Sequence, residues 1–257
     1  MTDPIPNTSR YDSTRDAWEQ IWDGASIEVE LDVVQSERSL ETIHAYLPYL
    51  PTDDVILEAG SGLSAVILLL RRMGYTRVVG LDYAVNALQA SRAYDPTLSL
   101  TAGDVHTLPL AENSVGAYLS FGVLEHFESG MAKPLAEALR VLKPGGVLVL
   151  TIPYPNLIHR LVRLRRRLQG GSLLTDDQFY ESTYTREALV SAVMQAGFEV
   201  AHIQPTSHAF TLWGLGGIFR APGYYRTSPL ADRAGALLRA VTPWLFNYMT
   251  LIIARKP

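Results

Sequence analysis

Two glycines and the acidic residues around them carry the densest chemistry in this 257-residue chain. The run VILEAGSGLSA sets Gly60 and Gly62 after the apolar stretch Val55–Ala59 and before a helical pattern that starts at Ser64. Glycines there allow a tight strand-to-helix turn and let a ligand approach the backbone closely. The helix start beyond them offers N–H groups to an anion. Asp82 ends the next apolar run, VVGLD, 22 residues after Gly60. A carboxylate at that separation can accept both hydroxyls of a ribose, and it can also cap the following helix. GSGLSA alone fits the G-x-G-x-x-A nicotinamide fingerprint too, and a bare turn would use the same glycines.

A second group, FGVLEHF (Phe121–Phe127), follows the apolar run Val115–Phe121. His126 there is the leading candidate for a general base, with Glu125 orienting or joining it. Open α/β sheets bind ligands at such strand ends, and imidazole titrates near neutral pH. The competing reading is a structural His that ties the loop by hydrogen bonds.

The elements that must position these groups alternate regularly. Val55–Ala59, Val78–Asp82, Leu98–Ala102, Val115–Phe121 and Val147–Ile152 read as strands, and their near-continuous apolar character suits a parallel sheet buried on both faces. Ser64–Met73, Ala84–Ala93, Met131–Leu142 and Thr185–Ala196 read as helices, with Gly74, Pro144-Gly145-Gly146 and Gly197 as stops. Phe198–Ile203 and Tyr248–Ala254 read as closing strands, and Ser13–Asp23 and Ser36–Leu47 as helices before the sheet. The alternation predicts a Rossmann-like α/β fold, with helices on both faces of the sheet.

Three further motifs join the glycine loop: Glu58, which makes E-x-G-x-G; Gly103-Asp104-Val105 after the third strand; and LKPGG (Leu142–Gly146) before the fifth. With FGVLEHF they resemble the class I S-adenosylmethionine-dependent methyltransferases, most closely the small-molecule subgroup of the ubiquinone and menaquinone pathways. The resemblance covers roughly residues 50–204 and the last strand. It implies a seven-stranded, mostly parallel sheet with an antiparallel last strand and S-adenosyl-L-methionine as cofactor. It implies that Glu58, Ala59, Gly60 and Gly62 hold the methionine part, with Glu58 on its ammonium. Asp82 would take the ribose and Tyr83 would pack on adenine or ribose. Gly103, Asp104 and Val105 would meet the adenine, and Phe121 and Gly122 would line the methyl side. Some quinone-pathway relatives use E-x-x-E-H, linked to a divalent metal; here its first position is Gly122, so no metal is expected.

Two segments interrupt the alternation. In 154–184, Leu157, Leu161, Leu164 and Leu168 fall at helical spacing among Arg160, Arg163, Arg165, Arg166 and Arg167. Such a helix can be a lid, a solvated face, or a peripheral contact with an anionic membrane through Arg160–Arg167. Segment 206–247 is aromatic and apolar, fitting a substrate pocket, a core extension or an interface. Tyr11, Tyr154, Tyr180, Tyr184 and Trp213 are the candidate acceptor-side residues, and Trp18 and Trp22 are further candidates to cover the cofactor. These boundaries organise one methyltransferase domain over 1–257: a helical cap at 1–50, a cofactor core at 51–153, a basic insertion at 154–184 and the rest of the sheet at 185–257.

Composition excludes other classes. With no Cys, disulfide scaffolds and cysteine-ligated metal centres are impossible. A hydrophobic fraction of 47% with net charge −4 argues against disorder, and nothing suggests a nucleic-acid partner. The N-terminus shows no signal-peptide pattern, so a cytoplasmic, possibly membrane-associated location is expected. Charge is asymmetric: residues 1–153 carry 10 basic and 20 acidic side chains, residues 154–257 carry 12 and 6. The sequence therefore predicts methyl transfer to a small, apolar or lipid-like acceptor, O-methylation favoured, with the oligomeric state open. The alternatives are an NAD-dependent oxidoreductase, which lacks an evident Tyr-x-x-x-Lys pair, and a non-catalytic cofactor-binding interaction protein.

Overall fold

The computed structural model describes residues 10–168, 181–223 and 225–257, without the side chains of 10–14, 37–38, 162–163 and 165–168. Tyr180 and the side chain of Tyr11 lie outside the described residues. Seven strands form one sheet: β1 (Ile56–Ala59), β2 (Val78–Asp82), β3 (Ser99–Ala102), β4 (Val115–Phe121), β5 (Leu142–Pro153), β6 (Glu199–Thr206) and β7 (Met249–Arg255). Their order is β3-β2-β1-β4-β5-β7-β6. The first five are parallel, and β7 inserts antiparallel between β5 and β6. The architecture is thus the Rossmann-like one predicted, with the antiparallel closing strand. The order reverses between β1 and β4, where open α/β sheets leave a crevice for ligands.

Period-2 alternation splits the core into two layers. Ile56, Val78, Ala117, Leu119, Val149 and Ile253 face a layer built with α2 (Ile27–Val34), α3 (Glu37–Tyr46), α4 (Ala65–Arg72) and α5 (Val85–Tyr94). Leu57, Leu81, Tyr118, Leu148 and Ile252 face the layer of α6 (Ala132–Val141) and α8 (Arg186–Gln195). A further helix, α1 (Arg10–Asp23), precedes them; α7 (Leu157–Leu168) follows β5, and α9 (His208–Trp213) and α10 (Pro229–Val241) lie between β6 and β7.

Three local differences from the predicted elements have physical causes. Helix α2 was not predicted: only eight residues long, it is set by Ser26, whose side chain accepts from Val29 N–H, and by burial of Ile27 and Leu31. Helix α6 ends at Val141, and the Pro-Gly-Gly run belongs to β5. Gly145 N–H donates to Lys256 O there, and the β4–β5 register shifts between Val115 and Ala117. Segment 206–247 makes two helices, α10 packing small residues against α9: a Cβ on Gly235 would fall 2.5 Å from Ala209 N.

Candidate functional site

The crevice at the carboxyl ends of β1, β2 and β4 holds a cavity of about 240 Å³. Its walls bring together Glu58, Gly60, Gly62, Asp82, Tyr83, Gly103, Asp104, Val105, Phe121, Gly122 and His126, which lie up to 68 residues apart in sequence. The glycine loop needs its glycines. Gly60 has φ +83°, and a Cβ on it would fall 2.4 Å from Val123 Cγ2. A Cβ on Gly62 would fall 2.6 Å from Trp22 Cζ2.

Asp82 ties the loop to the sheet. Its Oδ2 accepts from Gly62 N–H at 2.7 Å and its Oδ1 from Ala84 N–H at 2.8 Å. Burial pushes its carboxyl above the usual range despite these donors, so the N–H groups only partly replace water. Glu58, paired in register with Gly80 on β2 and Leu119 on β4, is only 4% exposed. Burial first, and then the Asp82 charge, raise its carboxyl well above the ordinary range, with the Ile67 N–H opposing. Glu58 Oε2 has no hydrogen-bond partner. A buried carboxylate oxygen without a donor is costly, and a bound cation would offset that cost.

Asp104 follows β3, and its Oδ1 accepts from His106 N–H at 2.8 Å and lies 2.9 Å from His106 Nδ1. The loop it opens is braced from α6: Glu137 accepts from Leu108 N–H, while Arg140 donates to Leu108 O, Leu110 O and Glu137. Sequence reasoning missed this brace, because its members lie about 30 residues apart with no local pattern. His126 is buried, lines the cavity, and meets Trp18 edge-on with ring centroids 5.3 Å apart.

Helix α1 covers the opening. Trp18 and Trp22 stack at 5.6 Å and both line the cavity. Arg15 donates to Tyr83 O, and Asn86 to Glu19 O and Asp23, which fastens α1 over β2 and α5. Glu30 and Val34 of α2 add a wall that sequence reasoning missed along with that helix. Trp22→Ala should weaken binding of a nucleoside ligand about tenfold, equivalent to roughly 1.4 kcal/mol, while thermal melting stays within a few degrees. Calorimetry with S-adenosylhomocysteine reads the first and circular dichroism the second.

Other predicted residues fall elsewhere. Ala59 is fully buried in the core beneath the loop. Glu125 is buried behind the wall; its carboxyl is raised by burial, and its backbone O accepts from Ser182 N–H and Oγ. Tyr184 packs on the α6–α8 layer and donates its N–H to Pro153 O. Tyr154 neighbours Trp244 at 5.8 Å, and Trp213 stacks on Phe210 at 4.8 Å under Arg220. None of these lines the cavity, and neither does any other described residue of 206–247. Among the described residues, no three His, Asp or Glu side chains converge to hold a metal ion.

Residues 57–150 match the family model described as a methyltransferase domain. A demethylmenaquinone methyltransferase of Renibacterium salmoninarum is 44% identical over 73 residues, covering 28% of this chain and 30% of that protein. A ubiquinone/menaquinone biosynthesis C-methyltransferase of Dinoroseobacter shibae is 30% identical over 166 residues, covering 56% of this chain and 66% of that protein. The solved geranyl diphosphate C-methyltransferase of Streptomyces coelicolor shares the fold at a TM-score of 0.63 and 11% identity, over 99% of this chain and 100% of that one. The chain spans less than half the length of several curated relatives it matches, 39%, 44% and 30% of three of them. Over the matched residues 57–150, sequence and fold are those of a class I S-adenosylmethionine-dependent methyltransferase domain. Within that class it resembles the quinone-pathway methyltransferases, and neither a nicotinamide oxidoreductase nor a non-catalytic binder is favoured.

The residues present fit this cofactor. A cation such as an ammonium would give Glu58 Oε2 the partner it lacks, and Gly60 and Gly62, both at positive φ, put no Cβ between a ligand and the backbone there.

Proposed function

We propose that the protein transfers a methyl group from S-adenosylmethionine to a small, apolar or lipid-like acceptor. The observation that carries this reading is the grouping of Glu58, Asp82 and Asp104 around one cavity, with the Glu58 oxygen buried and unpartnered. When bound, S-adenosylmethionine would supply an electrophilic methyl group on a sulfonium, whose sulfur leaves as a neutral thioether once the methyl is bonded to the acceptor. Glu58 holds the ammonium end, and Asp82, its oxygens already fixed by two N–H donors, presents its remaining lone pairs to the ribose. Asp104 and Val105 frame the adenine, and Trp18 and Trp22 exclude water. Holding nucleophile, methyl and sulfur in line is worth roughly 7–11 kcal/mol, so positioning supplies most of the catalysis.

His126 takes the proton of an acceptor whose nucleophile carries one, a contribution of about 10²–10⁴-fold. Its place on the cavity wall, edge-on to the Trp18 ring, supports that assignment. Glu125 acts only through the backbone around His126, which is consistent with its burial. The apolar character of the acceptor is supported by the Phe121, Val123 and Phe127 walls and by relatives named for quinone precursors. Relatives named for both C- and O-methylation exist, so the favoured O-acceptor stands as the part of this proposal to be tested first.

Calorimetric titration of one sample with S-adenosylhomocysteine and with NADH tests the reading. Micromolar binding of the first and none of the second is expected. Preference for NADH would overturn it, and tight S-adenosylhomocysteine binding without methylation across a panel of phenols, quinols and fatty acids would remove its catalytic half.

A further inference from the structure

Helix α10 is amphipathic in an unusual sense. Its packed face is small, Ala231 and Gly235, both buried against α9. Leu230, Leu237 and Val241 recur at i, i+7 and i+11, so they share one face, and they are 48%, 64% and 69% exposed. The band continues at both ends. Ser228 Oγ donates to Ile218 O at 2.7 Å, which sets the 71% exposed Ile218 beside the helix start. Leu157 N–H donates to Leu245 O at 3.0 Å, which joins the turn after α10 to α7, where Leu161 and Leu164 are more than half exposed. Single exposed aliphatics are ordinary, but three on one helix face, with more on the segments hydrogen-bonded to its ends, suit a binding surface.

Charge points to the occupant. Residues 157–168 and 208–245 hold nine Arg and one acid, Asp232, in a chain whose net charge is −4, and Arg239 among them is paired with Glu41 of α3 at 2.8 Å. Trp213, Tyr225 and Trp244 lie in the same segments, and rings of this kind favour an interface with one wet and one apolar side. Exposed aliphatic side chains in segments rich in Arg and nearly free of acids are the pattern of a surface that lies in an anionic headgroup layer. An acidic protein would match the charge but would not need so much exposed aliphatic surface. The chain also leaves β5 for α7 at the same sheet edge that carries Gly60, Asp82 and Phe121.

We propose that the α10 stripe, the turn after it and α7 seat the protein on an anionic lipid surface, α7 leading away from the sheet edge that carries the site. The binding itself does not depend on the methyl-transfer reading. The test is sedimentation of the full chain with vesicles of phosphatidylcholine alone or with added phosphatidylglycerol. Binding to the anionic vesicles only, falling steeply with added salt, is expected. Arg165→Gln, Arg166→Gln and Arg167→Gln together should weaken it by about fivefold per arginine. Leu237→Glu with Val241→Glu should weaken it at least tenfold while S-adenosylhomocysteine affinity stays unchanged. Absence of vesicle binding, or binding indifferent to lipid charge, would overturn the proposal. So would a concentration-dependent dimer that Leu237→Glu with Val241→Glu splits, since a second copy would then cover the band. A chain that binds vesicles but not S-adenosylhomocysteine would refute the methyl-transfer reading alone.

Discussion

Asp82→Ala should weaken S-adenosylhomocysteine binding by about a hundred-fold and lower folding stability by roughly 3–5 kcal/mol. The carboxylate is 5% exposed and accepts two backbone N–H groups, from the glycine loop and from the start of α5. Removing it leaves both donors buried without a partner, which costs the desolvation of each as well as two charge-assisted bonds. For a domain whose whole stability is about 5–15 kcal/mol, that is a large fraction. On the proposed binding mode, ligand affinity falls separately, because two ribose hydroxyls would lose a charged acceptor. Asp82→Asn separates the effects. It keeps one acceptor oxygen but turns an NH₂ toward the other N–H, so stability should drop by about half as much while affinity drops nearly as far. Denaturant unfolding and calorimetry on both variants check this. Binding by Asp82→Ala within threefold of the parent chain would dissociate Asp82 from the ligand.

Glu58 should make cofactor affinity rise with pH. In the free protein its carboxyl is held well above the ordinary range, first by burial and then by Asp82. An ammonium beside it favours the charged form and lowers that value. Between the two values binding expels a proton, and affinity climbs by up to tenfold per pH unit. Titrations in two buffers of different ionisation heat should therefore show proton release from the protein on binding. Folding has the opposite sign. The folded chain holds a proton that the unfolded chain gives up, so the share of stability from Glu58 is present below the ordinary carboxylate range. It is lost as pH rises toward the folded-state value. Glu58→Gln should abolish the proton release, flatten the pH profile of binding and lower affinity about tenfold or more at neutral pH. An unchanged pH profile in Glu58→Gln would remove Glu58 from the ammonium site.

Most of the strand and helix pattern was legible before folding, and so was the cofactor side of the candidate site. Gly60, Gly62, Asp82 and the Gly103–Val105 turn stand at strand ends, where a positive φ or a carboxylate in a tight turn has few substitutes. The acceptor side was less legible. Glu125 precedes His126 in sequence, yet the short helical turn Leu124–His126 buries its carboxyl and leaves the imidazole on the cavity wall. Nothing in the spelling of EH distinguishes the two.

Local chemistry thus determined, from sequence alone, the alternating elements, the glycine loop and the acids Asp82 and Asp104 at the ends of β2 and β3, because backbone strain and strand-end geometry act within a few residues. Only the tertiary structure decided that Trp22 closes on Gly62, that the Glu137–Arg140 pair braces the Asp104 loop, and that the aromatic segment 206–247 packs away from the cavity. Those outcomes turn on which surfaces fit one another across the fold, and complementarity of shape and charge between distant segments leaves no periodic trace in the chain.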